Sequence, residues 1–444
     1  MKNPHMILGV ALSNNFGLHP ATWRMSHIDT SAYAGVDAPI KQVQAAERGG
    51  LHFVFLADRL FLYGDVATAP PVFNMDPIIT LSAVSQAAER IGLVCTASTS
   101  FTEPYLLARQ LKALDVISHG RLGWNAVPSF ELDAFANFGQ EPPLSENKYE
   151  RLHETMQIVQ ALWGSWGYEA GMPDKAGMFA DPAHIRPVNM RGRHVGARGP
   201  LPVPPSDQGQ PVIVMPLVRG YGLEAAGMYA NVVISMPHSI KESQSQREMV
   251  RQAAIQAGRD PDEIRFIVFF GFVIGATERE ALDQRRALDD LIDLSGHMSR
   301  LAALLGLRGM LGRPDEPFTP VEIAAIREHP QDPRAARVAQ LAKAGWSPRD
   351  IIAHAVFDPY PSVVGTADQA ADHLQQWFEA GTADGYVVHF DDFHNGINEF
   401  VDQVVPILRK RGIFHNDYEG QTLRDHLGLG PQYGIDPRIT TGSS

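Results

Sequence analysis

Three short stretches set polar side chains where an apolar run has just ended or is ending: "FLADR" with Asp58, "CTAST" with Thr96, Ser98 and Thr99, and "GWNAVPS" with Asn125. An amide late in a buried strand costs free energy unless something binds it. Each of these residues, taken singly, reads equally as a helix cap or a satisfied loop residue. A fourth stretch, "PVIVMPLVRGYGLEAAG", runs from a strand through Arg219, Gly220 and Gly222 into a helix. Free backbone amides at such a helix start can receive a phosphate, with Arg219 adding charge. As an ordinary turn it needs no ligand.

Other catalytic signatures are missing. There is no GxSxG elbow, HExxH, P-loop or CxxC, and the seventeen histidines lack metal-ligand spacing. His389, Asp391, Asp392 and His394 come closest to a cluster. They leave a metal-dependent hydrolase open as an alternative, although solvated loop residues read the same way, and we expect no metal.

The elements that must position these residues follow a regular alternation. Strand candidates are Met6 to Leu12, Phe53 to Ala57, Ile91 to Ala97, Arg121 to Val127, Val212 to Met215, Val232 to Ser235, Ile264 to Ile274 and Gly385 to Phe390. Stretches of helical periodicity separate them, and one more, Ile397 to Arg411, follows the last. Eight strands alternating with helices fit an α/β fold of the (β/α)8 TIM-barrel type better than an open doubly wound sheet, because no strand leads into a GxGxxG turn. Residues 1–444 are then one barrel domain, with insertions after strands four and seven at about 168–210 and 281–364 and a C-terminal extension at about 412–444. Barrels place their sites at the C-terminal ends of the strands, where both insertions are expected. Three successive strands ending in polar residues there weaken the reading of each as a mere cap.

Composition narrows the partners. A formal charge of -12 and no basic excess argue against nucleic acid. The single Cys95 excludes an internal disulfide framework and points to a reducing compartment. The N-terminal "MKNPHMILGVALSNN" has one lysine and no small-residue cleavage site, so it reads as a first strand rather than a signal peptide. No apolar run approaches the roughly 18 residues of a membrane helix. We expect a cytoplasmic protein without membrane contact.

Longer stretches carry a resemblance. "FVFLADRL", "ERIGLVCTASTSFTEPYLLARQLKALDVISHGRLGWNAVPS", "KYERLHETMQIVQALWGSW", "GTADQAADHLQQWFEAGTADGYVV" and "FVDQVVPILRKRGIFHNDYEGQTLRDHLGL" resemble landmarks of the bacterial-luciferase-like flavin-dependent monooxygenases. The likeness is to the branch of the nitrilotriacetate and dibenzothiophene sulfone monooxygenases. It implies a TIM barrel that takes reduced FMN (FMNH2) from a separate NAD(P)H:flavin reductase and oxygenates a small organic substrate with O2 through a flavin peroxide. It further implies a homodimer or homotetramer. The cofactor would carry the difficult chemistry, which accounts for the absent triads and metal motifs.

By the same resemblance Asp58, Thr96, Thr99 and Asn125 would meet the flavin ring and ribityl chain, Tyr149 would help to hold the phosphate, and His19 in "GLHPATWR" would face flavin or substrate. His19 reads equally as a structural loop histidine. Three positions depart from the family pattern. Ser145 stands where a histidine is usual, "PLVRG" where a small Gly/Ser turn is usual, and Pro128 where a threonine is more frequent. The first two fall at the phosphate end. Either Arg219 supplies the missing charge, beside Gly220, or flavin affinity is weakened or a deazaflavin is used. A non-catalytic flavin-binding barrel is a further alternative. The Leu- and Met-rich "MSRLAALLGLRGMLG" hints at an apolar substrate, while reading identically as a core helix.

Overall fold

The computed structural model describes residues 5–12, 16–171, 173–307 and 312–434. Eight parallel strands close a barrel in the order β1 (Ile7–Leu12), β2 (Phe53–Leu56), β3 (Gly92–Ser98), β4 (Leu122–Val127), β7 (Val212–Pro216), β8 (Val232–Ser235), β9 (Arg265–Ile274) and β11 (Gly385–Phe390), with β11 pairing back onto β1. All eight expected strands are present, their ends differing from the expected ones by at most one residue. Two short strands, β5 (Met190–Arg191) and β6 (Gly196–Ala197), form a separate antiparallel pair.

Alternation sorts each strand between two cores. Ile7, Phe53, Phe55, Val94, Val212, Val214, Ile267, Phe269 and Val387 pack together inside the barrel, while Leu8, Val54, Leu93, Trp124, Ile213 and Val388 pack outward against the helices. Burial on both faces is why the strands read as continuous apolar runs rather than alternating ones. Trp124 points outward, as the pattern requires. Its ring meets Trp163 edge-on at 5.8 Å, and its indole N–H donates to the carbonyl of Ala97 at 3.0 Å.

The two interruptions occupy different ends. Residues 168–210 follow the helix Ser145–Trp163 and lead into β7, so they form a helix-to-strand connection rather than a strand-to-helix one. Their last residues lie by the barrel floor, where the Gln208 amide donates to Asp115 at 2.6 Å and to the Leu122 carbonyl at 2.9 Å. The segment 281–364 does follow a strand. It holds the helices Glu278–Asp289 (in part), Ser295–Leu305, Pro320–Ala325, Ala335–Lys343 and Pro348–Ala353, the last four with a core of their own. It also contains a strand that periodicity did not reveal, β10 (Ser362–Gly365). Ten-residue β9 pairs with β8 through Val268 and with β10 from Gly271, so β10 extends the wall above the point where β8 has left it. The stretch "MSRLAALLGLRGMLG" is helical up to Leu305, and residues 308–311 of it lie outside those described.

One helix departs from its expected form. The span Ile397 to Arg411 is two α-helical pieces, Phe393–Glu399 and Val405–Lys410, joined by a wider π turn at Phe400–Val404. Pro406 has no N–H to give back to the preceding turn, and the widened turn absorbs that loss.

The C-terminal segment seals the floor. Leu423 reaches β3 and β4 at Gly92 and Gly123, where an added Cβ would stand 2.5 Å and 3.1 Å from its side chain. Buried Arg424 donates to the Gln210 carbonyl at 2.9 Å. Three buried histidines stand around this seal. His52 accepts the Leu8 N–H at 3.1 Å and stacks on His415 at 4.5 Å, and His415 bonds the Gly50 carbonyl at 2.6 Å. Burial holds His52 well below the ordinary histidine value, lowers His415 and pushes His426 down to about 4. Among the described residues no helix is long and apolar enough to cross a membrane.

Because these three pKa values are lower folded than unfolded, the unfolded chain binds more protons below about pH 6.5. Stability is therefore full above neutrality and falls on acidification, by up to about 1.4 kcal/mol per pH unit for each histidine. The melting temperature should drop between pH 7 and pH 5, and less steeply in His426→Phe. An identical slope in the variant would remove His426 from the account.

Candidate active site

Strands β3 and β4 carry the centre of the site. Their register pairs Thr96 with Asn125, and both side chains face the barrel interior, Thr96 on the same face as inward Val94 and Asn125 opposite to outward Trp124. The Asn125 amide donates to the Thr96 hydroxyl at 2.9 Å. Its carbonyl oxygen is buried and has no partner. A buried acceptor left open costs about 1–3 kcal/mol, so it is an address for a donor that the chain itself does not supply.

Just above, the two strands are tied by hydroxyls. Ser98 and Ser129 meet at 3.0 Å, the Ser100 N–H donates to Ser98 at 3.1 Å, and the Ser129 N–H donates to Ser100 at 3.1 Å. Thr99 is buried and spends its N–H and its hydroxyl on the Val127 carbonyl. Pro128, which has no N–H to place, carries the chain from that carbonyl to Ser129.

Asp58 follows β2 and is half-buried. Burial, and after it the neighbouring Asp76 carboxylate, pushes its pKa up to about 6, against the hydrogen bond from the Arg59 N–H. A carboxylate so raised is ionised at neutral pH only at a cost, a common condition of groups at functional sites.

A second group gathers at the start of the helix Tyr221–Tyr229. Gly220 takes φ 68°, a conformation that favours glycine, and caps the helix without a side-chain bond. Gly222 lets Tyr149 approach: a Cβ there would lie 3.0 Å from the Tyr149 hydroxyl. That hydroxyl is buried without a partner, and the Tyr149 and Tyr221 rings lie 5.8 Å apart. Arg219 is exposed beside this turn, and Ser145 is exposed at the first position of Tyr149's own helix. The structure thus joins Tyr149 to the Gly220–Gly222 turn, and Thr96 to Asn125.

His19 belongs to a third group. The Ala21 N–H donates to its Nδ1 at 3.2 Å, so Nε2 carries the hydrogen and donates to Asp289 at 3.1 Å. Both nitrogens are engaged within the protein. Arg285, one helical turn before Asp289, binds Asp391 at 2.9 Å and Asp358 at 3.0 Å. Burial opposes its charge, but Asp358, Asp391 and Asp289 hold its pKa well above the ordinary value. Burial likewise opposes the Asp289 carboxylate, and His19 and Arg285 overcome it and lower its pKa.

Sequence reading missed Arg285, Asp289, Asp358 and Tyr360. The i, i+4 spacing of Arg285 and Asp289 was the available signal, but it looks like any surface ion pair. The cluster behind the alternative metal-dependent reading is divided among other partners. Asp391 serves Arg285, Asp392 pairs with His27 at 2.7 Å, and His389 meets Tyr360. Among the described residues no group of three or more His, Cys, Asp or Glu could hold an ion.

Comparison with known proteins agrees with this architecture. The luciferase-like monooxygenase family matches residues 18–385. N-acetyl-S-(2-succino)cysteine monooxygenase of Bacillus subtilis (strain 168) is 34% identical over 432 residues, 96% of this chain and 97% of that protein. Nitrilotriacetate monooxygenase component A of Aminobacter aminovorans is 31% identical over 456 residues, again 96% and 97%. The solved EDTA monooxygenase (EmoA) from Chelativorans sp. BNC1 superposes with a TM-score of 0.82 at 28% identity, covering 96% of this chain and 99% of its own. With its closed parallel barrel, the chain belongs to the luciferase-like monooxygenase family and is a flavin-dependent monooxygenase.

Proposed function

We propose that the protein is the oxygenase of a two-component system, taking reduced FMN from a separate NAD(P)H:flavin reductase and using O2 to oxygenate a small organic substrate. The observation that carries this reading is the unpartnered Asn125 carbonyl oxygen on the inner wall. It suits a ring that presents an N–H. That the nitrilotriacetate relative is named as one component of its monooxygenase supports a separate reducing partner.

The residues fit the cofactor at both ends. Asn125 would accept from the ring, its amide orientation held by Thr96. The Tyr149 hydroxyl, the Gly220–Gly222 amides and Arg219 would take the phosphate, with Arg219 supplying the charge that the family's histidine, replaced here by Ser145, would otherwise give. Reduced FMN, when bound, supplies the electrons that activate O2. The chain's part is to orient the ring and keep water from it, and the apolar inner wall of Phe53, Phe55 and Phe269 serves the second task. His19, with both nitrogens occupied, has a positioning role: it fastens the helix Glu278–Asp289 to the loop after β1.

Anaerobic titration with photoreduced FMN should give tighter binding than oxidised FMN. Asn125→Leu should weaken it about tenfold, the order of one buried hydrogen bond, while leaving the circular-dichroism melt near that of the parent. Wild-type protein that binds neither redox state, or a variant that binds as well as wild type, overturns the reading.

Asp58→Asn separates binding from stability. The folded pKa near 6 lies above the unfolded carboxylate value, so above pH 6 ionised Asp58 destabilises the fold. Removing the charge should stabilise the protein at pH 7 by about 1 kcal/mol after allowance for solvent screening, while weakening flavin binding. A lower melting temperature at pH 7 would refute this assignment.

A further inference from the structure

His389 and Tyr360 form a polar pair on the inner wall that none of the roles above uses. His389 lies two residues after Val387 on the same face of β11, and Val387 packs inside the barrel with Ile7, Phe269 and Tyr360, so the His389 ring faces the axis. Tyr360 lies in the insertion just before β10, and its hydroxyl meets His389 Nδ1, with ring centroids 5.8 Å apart. Gly271, the register partner of His389 on β9, lies against the same segment: a Cβ there would stand 2.3 Å from the Ser362 hydroxyl of β10, two residues beyond Tyr360, and in ordinary contact with the Tyr360 ring. The other ring nitrogen, Nε2, is buried without a partner, and His389 as a whole is 6% exposed.

Counting hydrogen-bonding groups assigns the tautomer. Were Nδ1 to donate to the tyrosine oxygen, the phenol hydrogen and the Nε2 lone pair would both be left unsatisfied. With Tyr360 donating to Nδ1, a single group is left open, the Nε2–H, so this arrangement costs less. Burial pushes the His389 pKa down to about 3, so the ring is neutral. Strands β11 and β4 are four apart in the ring of eight, so this open donor stands across the barrel from the open Asn125 acceptor. Beside it are Phe393 and, against Tyr360, Phe269. Arg285, the buried cation of the insertion, is already matched by Asp358, Asp391 and Asp289.

We propose that His389, held by Tyr360, is the substrate-orienting donor of this enzyme, and that it takes an uncharged acceptor oxygen, such as that of a ketone, amide or sulfone, on an otherwise apolar molecule. An unpartnered neutral N–H among aromatic rings suits such an oxygen. A polycarboxylate would need a cation, and Arg285 is spent. The inference rests on the monooxygenase reading for the presence of a substrate in the barrel. Tyr360 is a positioning residue, acting through the tautomer it imposes.

Two measurements test it. In ligand-free protein, nitrogen-15 histidine NMR should place His389 in the Nε2–H tautomer, and Tyr360→Phe should convert it to a mixture; an Nδ1–H wild-type ring overturns the proposal. Anaerobic calorimetry on the FMNH2-loaded enzyme would use dibenzothiophene sulfone and benzophenone as neutral probes and nitrilotriacetate as the polycarboxylate. At least one neutral probe should bind and nitrilotriacetate should not. His389→Phe should weaken the neutral probe about tenfold, and His389→Gln, which restores an N–H donor, should recover most of that. Binding of nitrilotriacetate, no neutral binder, or equal affinity in His389→Phe overturns the proposal. Retention of FMNH2 by the variant separates these failures from failure of the flavin reading, which wild-type FMNH2 binding tests alone. If His389→Phe does not fold, the NMR result and the His389→Gln and Tyr360→Phe affinities decide.

Discussion

A closed parallel barrel buries both faces of every strand, and this constraint governs the rest of the molecule. The ladder satisfies the backbone, so each polar side chain turned inward must find a partner or be left open at a cost. Most find one: Ser98 with Ser129, Thr99 with Val127, and Thr96 with Asn125. Two that are left open among the described residues, the Asn125 carbonyl and the His389 Nε2, lie on opposite walls. Apolar side chains would have been cheaper at both places, and this excess cost is what supports the roles proposed for them.

The long insertion is fastened to the barrel by buried charge. Arg285 binds Asp358 and Asp391 and lies beside Asp289, which holds His19. Such a cluster adds little net stability over an apolar equivalent, since desolvation offsets the attraction. Removing one partner, however, strands the others without compensation. Its value is therefore geometric. It binds the loop after β1, the end of β11 and the helix Glu278–Asp289 into one arrangement at the mouth. At the opposite end the C-terminal segment does comparable work with Leu423, Arg424 and three uncharged histidines. The barrel is thus closed below by a segment that needs neutral imidazoles and framed above by one that needs ionised carboxylates.

The eight barrel strands were legible because strands buried on both faces keep an unbroken apolar run, and the helices between them keep theirs at helical spacing. Asp58, Thr96 and Asn125 were legible because polar residues end those runs. β10 was not: its four residues sit among insertion helices, and only their register with β9 makes them a strand. The direction of residues 168–210 was misjudged because a Gly- and Pro-rich loop carries no mark of which end of the barrel it leaves. His389 was read with Asp391 and His394 as a loop cluster. The expected strand Gly385 to Phe390 already contained it, but only the packing of Val387 inside the barrel shows that this face of β11 is the inner one.

What the sequence by itself determined was the barrel, its strand ends and the family, since periodicity and long matched stretches are local properties of the chain. Only the tertiary structure decided which polar groups are satisfied. That Asn125 spends its amide on Thr96 and keeps its oxygen, that His19 spends both nitrogens, and that Tyr360 reaches across the insertion to His389 all depend on residues 29, 270 and 29 positions apart or adjacent only after folding. Hydrogen bonding acts over about 3 Å, and no pattern in the chain records which distant atoms will come that close.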